Sequence, residues 1–143
     1  EPVTNIGDKA SLEHSLTREI ELAKRHNHSL SLLTLHFECS NQKKTTKLPA
    51  NIVNTIKDVI YEVSRGTDRL FRIGGKEFRL IMHNDASGAD PIARRIERSL
   101  RNAFKNDNGY GLEVSTGCST LTGTDSVKSL VERAKNQMLK TKG

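Results

Sequence analysis

Two short apolar runs, DRLFRI (68–73) and EFRLIM (77–82), stand either side of Gly74-Gly75-Lys76, and no other feature constrains the fold as tightly. Runs of this length rich in Leu, Ile and Phe read as strands, and a Gly-Gly pair between them predicts a hairpin, because glycine reaches the positive φ of tight hairpin turns. Helical spacing surrounds the pair. Leu12, Leu16, Ile20 and Ala23 predict a helix over about 8–26, and Ile52, Ile56, Val59, Ile60 and Val63 a second over about 50–64. Ile92, Ile96, Leu100 and Phe104 predict a third over about 90–105. A closing helix carries Val127, Leu130, Val131, Ala134 and Met138 after the polar start Thr124-Asp125-Ser126. SLSLLTLHFE (29–38) and GLEVSTGCSTL (111–121) read as two further strands. After the first helix the order is therefore β-α-β-β-α-β-α. A hairpin flanked by two βα crossovers is the split-βαβ, ferredoxin-like arrangement, an α+β sandwich with helices packed on a mixed, mostly antiparallel sheet.

The chain of 143 residues suits one domain with a single hydrophobic core. With no Trp and 4% aromatic residues, that core must be mostly aliphatic. No apolar run approaches the 18 residues of a membrane span, and EPVTNIGDKA lacks the charged-then-apolar layout of a signal peptide, so a cytoplasmic location is expected. Cys39 and Cys118 lie in apolar strand-like surroundings and are expected as buried free thiols. A net charge of +6 favours anionic partners: nucleotides, nucleic acid or acidic protein faces.

RIGGKEFRLIM (72–82) resembles the signature hairpin of diguanylate cyclases, which usually reads RYGGDEF or RYGGEEF before an apolar strand. The similarity runs the length of the chain. EPVTNIGDKASLE resembles the opening D-P-L-T-G-L-P-N-R-R-x-F-E of GGDEF domains, and LSLLTLHFE the strand that ends in Asp-Ile-Asp. STGCS (115–119) resembles Ser-Ile-Gly-Val-Ala, and ERAKNQMLKTKG the closing Ala-Asp-x-Ala-Leu-Tyr-x-Ala-Lys helix. The resemblance implies a nucleotidyl-cyclase palm, spanning 1–143 as one domain excised from a longer signalling protein.

It also implies a chemistry against which this chain can be read. In the family two domains meet, and the 3′-hydroxyl of each GTP attacks the α-phosphate of the other with metal ions bridging phosphate oxygens. Mg²⁺ takes oxygen ligands, supplied in the family by the first Asp of Asp-Ile-Asp and the acidic third residue of the hairpin motif. Those positions hold His36 and Lys76 here, within a motif that runs Gly74, Gly75, Lys76, Glu77, Phe78. An ammonium about 4 Å from a cation is repelled by about 4 kcal/mol per unit charge at an effective dielectric near 20, and imidazole is a poor ligand for Mg²⁺. Glu38 and Glu77 alone are a thin metal site. The family's guanine-reading Asn and Asp fall near Lys44 and at Ala50, in a loop about three residues shorter, while the phosphate-contacting Lys corresponds to Lys142. No catalytic residue, no metal and no cofactor is expected.

Arg65 stands nine residues before Gly74, in Arg65-Gly66-Thr67-Asp68, and resembles the family's R-x-x-D inhibition site for cyclic di-GMP; Arg95 falls where that site draws a further Arg. An Arg fork suits guanine O6 and N7, and an ionised Asp can accept from N1–H and N2–H. A local ion pair at a helix-to-strand turn accounts for the same residues. Arg94, Arg98, Arg101 and Lys105 form a basic helical stripe without the interleaved aromatics that stack on bases, so nucleic acid is the weaker partner. His14, His26, His28, His36 and His83 show no metal-ligand spacing. The expected function is that of a catalytically inactive GGDEF-like regulatory domain, with cyclic di-GMP, an EAL-type or sensor domain, or another protein as partner. The alternatives are an active cyclase with atypical ligands at Glu38 and Glu77, and a basic module that binds RNA or a protein partner.

Overall fold

The structure is a computed structural model and describes residues 6–39, 48–64, 66–105 and 111–142, the side chains of 141 and 142 excepted. In chain order the elements are α1 (Lys9–His26), β1 (Ser31–Cys39), α2 (Ala50–Val63), β2 (Arg69–Arg72), β3 (Glu77–Met82), α3 (Ala86–Phe104), β4 (Leu112–Thr120) and α4 (Val127–Lys142). The strands hydrogen-bond in the order β2-β3-β1-β4, and each neighbouring pair is antiparallel. One parallel bridge, Gly7 to Phe71, ties the segment before α1 onto β2. This is the split-βαβ order, with β1 inserted between the hairpin and β4.

Period-2 alternation divides β1 between two cores. Leu33, Leu35, Phe37 and Cys39 face one way and pack with Phe78, Leu80 and Met82 of β3 beneath α2 and α3. Leu32 faces the other way and packs with Phe71, Ile81 and the buried stripe Leu12, Leu16, Ile20 and Ala23 of α1, with Leu130 of α4. Fully burying each such side chain contributes about 1.5–3 kcal/mol, so two-sided coverage is what makes a four-stranded sheet stable. The core is largely aliphatic, as composition requires, but all four Phe are buried in it. Phe37 meets Phe78 and Phe104 edge to face, with ring centroids 5.6 and 6.5 Å apart.

Three expectations need correction. First, α3 begins at Ala86 rather than near residue 90. Its first turn, ASGAD, carries no large apolar residue for periodicity to register, yet Asp85 caps it by accepting the Gly88 N–H, and Ala89 and Ala93 are buried in place of Ile92. Pro91 therefore lies in the second turn of the helix rather than at its first residues. Second, the hairpin glycines do not use positive φ. Among the described residues the left-handed region holds Asn27, which closes α1, and Gly111. The connection is longer than a two-residue turn, so it closes without those angles: the Ile73 N–H donates to the Glu77 carbonyl and Arg72 Nη2 to the Gly75 carbonyl, each at 2.8 Å. Third, both thiols are free, but only Cys39 is buried; Cys118 is partly so, and burial pushes its thiol up to about 12. No helix among the described residues is long and apolar enough to cross a membrane.

Candidate functional site at the hairpin and central strand

The antiparallel register of β1 and β3 sets His36 opposite Glu77 and Thr34 opposite Arg79. Because alternate residues share a face, Thr34, His36, Glu38, Glu77 and Arg79 all project from the side of the sheet that carries α1 and α4. The apolar members of this face, Leu32 and Ile81, lie further along the strands under those helices. Toward the hairpin the face becomes polar and opens to solvent.

Within it the side chains have partners. Arg79 Nη2 donates to Glu77 Oε2 at 2.9 Å, the two side chains being 11% and 24% exposed. Thr34 Oγ1 reaches the same oxygen at 3.5 Å. His36 Nε2 lies 3.3 Å from Glu38 Oε1 on the more exposed end. Lys76 is half-buried at the end of the hairpin connection, its carbonyl accepting the Phe37 N–H at 2.9 Å. A Cβ added at Gly74 would meet no atom within 4 Å, so the tip is open to an approaching group. Arg72, on the opposite face, lies over the Phe78 ring at 5.7 Å, and burial lowers its guanidinium from the ordinary value.

The residues at the R-x-x-D turn are placed differently. Arg65 lies outside the described residues, as does Lys44, and the side chain of Lys142 is not described. The Asp68 side chain is 0% exposed, its Oδ1 accepting the His83 N–H at 3.3 Å and lying 3.6 Å from His83 Nδ1. The other ring nitrogen of His83 is 3.1 Å from Glu19 on α1, so Asp68 belongs to a chain of contacts joining β2, β3 and α1. Arg95 is exposed on α3, along with Arg94, Arg98, Arg101 and Lys105, and Arg101 pairs with Glu97 at 3.1 Å. Ala50 is the exposed first residue of α2.

Sequence reasoning brought His36 and the hairpin motif to one place, but it passed over Arg79 and Thr34. The signal was available: a charged residue two positions from Glu77 in an otherwise apolar strand must share its face. Glu19 and His83 left no comparable trace, because their approach is tertiary.

Comparison with known proteins agrees with this architecture. The chain is 29% identical to diguanylate cyclase DgcS of Shewanella oneidensis over 143 residues, which cover 98% of this chain and 48% of that protein. It thus spans about half of that relative's length. Among solved structures it is similar to diguanylate cyclase SiaD of Pseudomonas aeruginosa, determined in complex with its activator SiaC: TM-score 0.81, 21% identity, covering 99% of this chain and 57% of that one. It is also similar to the coiled coil and GGDEF domain of DgcB from Caulobacter crescentus, determined with c-di-GMP: TM-score 0.78, 17% identity, covering 97% and 78%. The family model described as "Diguanylate cyclase, GGDEF domain" matches residues 1–143, and this chain belongs to that family.

Proposed function

We propose that this chain is a regulatory GGDEF domain of cyclic di-GMP signalling that does not itself convert GTP to cyclic di-GMP. The observation that carries the reading is the state of Glu77. The one carboxylate of the hairpin motif is drawn onto Arg79, directly across from His36 rather than from a second carboxylate. Mg²⁺ needs a near-octahedral set of oxygens and takes carboxylates as its protein ligands. An imidazole at His36, an ammonium at Lys76 and a carboxylate already neutralised by a guanidinium do not fit that ion. Ala50, at the position that the resemblance gives to a guanine acceptor, has no side-chain oxygen to offer.

Regulation by contact with a protein, such as an adjoining EAL-type or sensor domain in the cytoplasm, is better supported than product sensing. The Asp68 carboxylate that would accept from a guanine is buried and already takes the His83 N–H. A ligand there would have to reach a side chain that is closed off from solvent. Product sensing keeps one observation in its favour, the exposed Arg95 on α3, and DgcB was determined with that nucleotide.

Incubation of the purified domain with GTP and Mg²⁺ or Mn²⁺, read by chromatography, should give no cyclic di-GMP above a protein-free control. Product that disappears on Glu77→Gln would establish an active cyclase with atypical ligands instead. Calorimetric titration with cyclic di-GMP should show no saturable binding. Micromolar binding lost in Arg65→Ala would move the reading to a product receptor.

A further inference from the structure

We infer that Arg79 takes the electrostatic place of the metal: its guanidinium is the resident countercation of Glu77 and closes this face to divalent ions. The inference deepens the regulatory reading above and rests on it for the assignment of this face as the former metal site. Two observations and one physical requirement carry it. Arg79 is nearly buried, with 9% exposure, in the part of the sheet where the polar face meets the α1 and α4 core. A guanidinium in that position needs an anion, since an uncompensated buried charge is strongly destabilising. Its Nε has no hydrogen-bond partner, so Glu77 is the acid that the geometry gives it.

The pull acts in a definite direction. Glu77 and Arg79 are two residues apart on one strand and share a face, with Thr34 opposite Arg79 and His36 opposite Glu77. Glu77 Oε2 is within reach of both Arg79 and Thr34, on the inward side, while His36 and Glu38 contact each other at the outer end. The carboxylate is thus turned away from the two side chains with which it could make a three-ligand set. No group of three His, Cys, Asp or Glu side chains able to hold a metal forms among the described residues. A divalent ion at Glu77 would also have to sit beside a fixed positive charge. Without Arg79 only the long 3.5 Å contact from Thr34 Oγ1 holds the carboxylate inward. Glu77, Glu38 and His36 could then converge on Mn²⁺, a transition-metal ion that takes carboxylate oxygens and tolerates an imidazole beside them better than Mg²⁺ does.

Arg79 is therefore a positioning residue, and the test reads metal rather than turnover. Mn²⁺ titration followed by electron paramagnetic resonance should show no saturable site in the wild-type domain. Arg79→Leu should gain a site at least tenfold tighter than any wild-type binding, and Arg79→Leu with Glu77→Gln should lose it. Wild-type binding abolished by Glu77→Gln, or a folded Arg79→Leu that binds no better than wild type, overturns the inference. Should Arg79→Leu fail to fold, the pair is tested by a double-mutant cycle in denaturant with Arg79→Met and Glu77→Gln. Coupling below threefold in the unfolding constant then sinks the inference. GTP turnover by the wild type would sink the regulatory reading while leaving this coupling standing, so the two failures are distinguishable.

Discussion

At the scale of single residues, the polar start of α4 shows how much a local pattern can promise and how much only the structure supplies. Thr124-Asp125-Ser126 reads as a helix start, and the structure makes Asp125 its centre. The carboxylate is 5% exposed and accepts from the Thr122 N–H and hydroxyl, the Ser129 hydroxyl at 2.7 Å, and the Arg133 guanidinium. Burial by itself would raise this acid. The hydrogen bonds from Arg133, Ser129 and Thr122 together outweigh it and hold the carboxyl at about 2, below its ordinary 3.8. A folded-state value below the unfolded one means that the contribution is fully present above about pH 4 and is lost as the pH falls toward 2. Denaturant unfolding across that window should therefore show a loss of about 2 kcal/mol. Asp125→Asn should be less stable at neutral pH and flatter in acid; an unchanged slope would remove Asp125 from the acid transition. The Arg133 end of this network was invisible in sequence, because a partner eight residues away is predicted by no capping rule.

Elements were more legible than contacts. The eight elements were all readable, the helices from apolar residues at helical spacing and the strands from short apolar runs between turns. The start of α3 was not, because its buried positions Ala89 and Ala93 are too small to stand out from a polar stretch. The packing of α4 on β4 was hidden for the same reason of size. A Cβ at Gly117 would lie 2.1 Å from the Ala134 carbonyl oxygen and 2.5 Å from the Met138 nitrogen, both backbone atoms that cannot move alone. Glycine is required there by proximity, not by φ. Gly117→Ala should push α4 off the sheet and cost about 3 kcal/mol or more, the upper range for overpacking. Gly123→Ala, where no atom lies within 4 Å of the new methyl, is the control and should change stability by no more than about 0.5 kcal/mol. Equal melting of the two variants would mean that α4 docks more loosely than the structure places it.

For the whole molecule, the motif gave the family and the fold, but neither the Arg79–Glu77 pair on the hairpin face nor the burial of Asp68 at the R-x-x-D turn. The same holds for the charge of +6. In sequence the stripe Arg94, Arg98, Arg101 and Lys105 could serve a nucleic acid, and the structure leaves all four exposed, three on α3 and Lys105 at its C-cap. Two features argue against that use. Arg101 is partly neutralised by Glu97 at 3.1 Å, which itself accepts from the Thr116 hydroxyl at 2.6 Å and is held in place. All four Phe are buried and the Tyr61 hydroxyl accepts the Leu70 N–H, so no aromatic side chain beside the stripe is offered to bases among the described residues. Stacking gives single-strand binders about 1–3 kcal/mol per base; without it only phosphate contacts remain. Such contacts lose affinity steeply with salt, by about 0.9 in log K per log unit of salt for each neutralised phosphate on duplex DNA and about 0.7 on single strands. Fluorescence anisotropy with a labelled single-stranded RNA should therefore show weak binding at 50 mM salt and none at 200 mM. Replacing Arg94, Arg98 and Arg101 by Ala should abolish the low-salt signal while leaving the melting temperature within a few degrees. Binding that survives 200 mM salt and vanishes in that triple variant would instead make α3 a nucleic-acid surface.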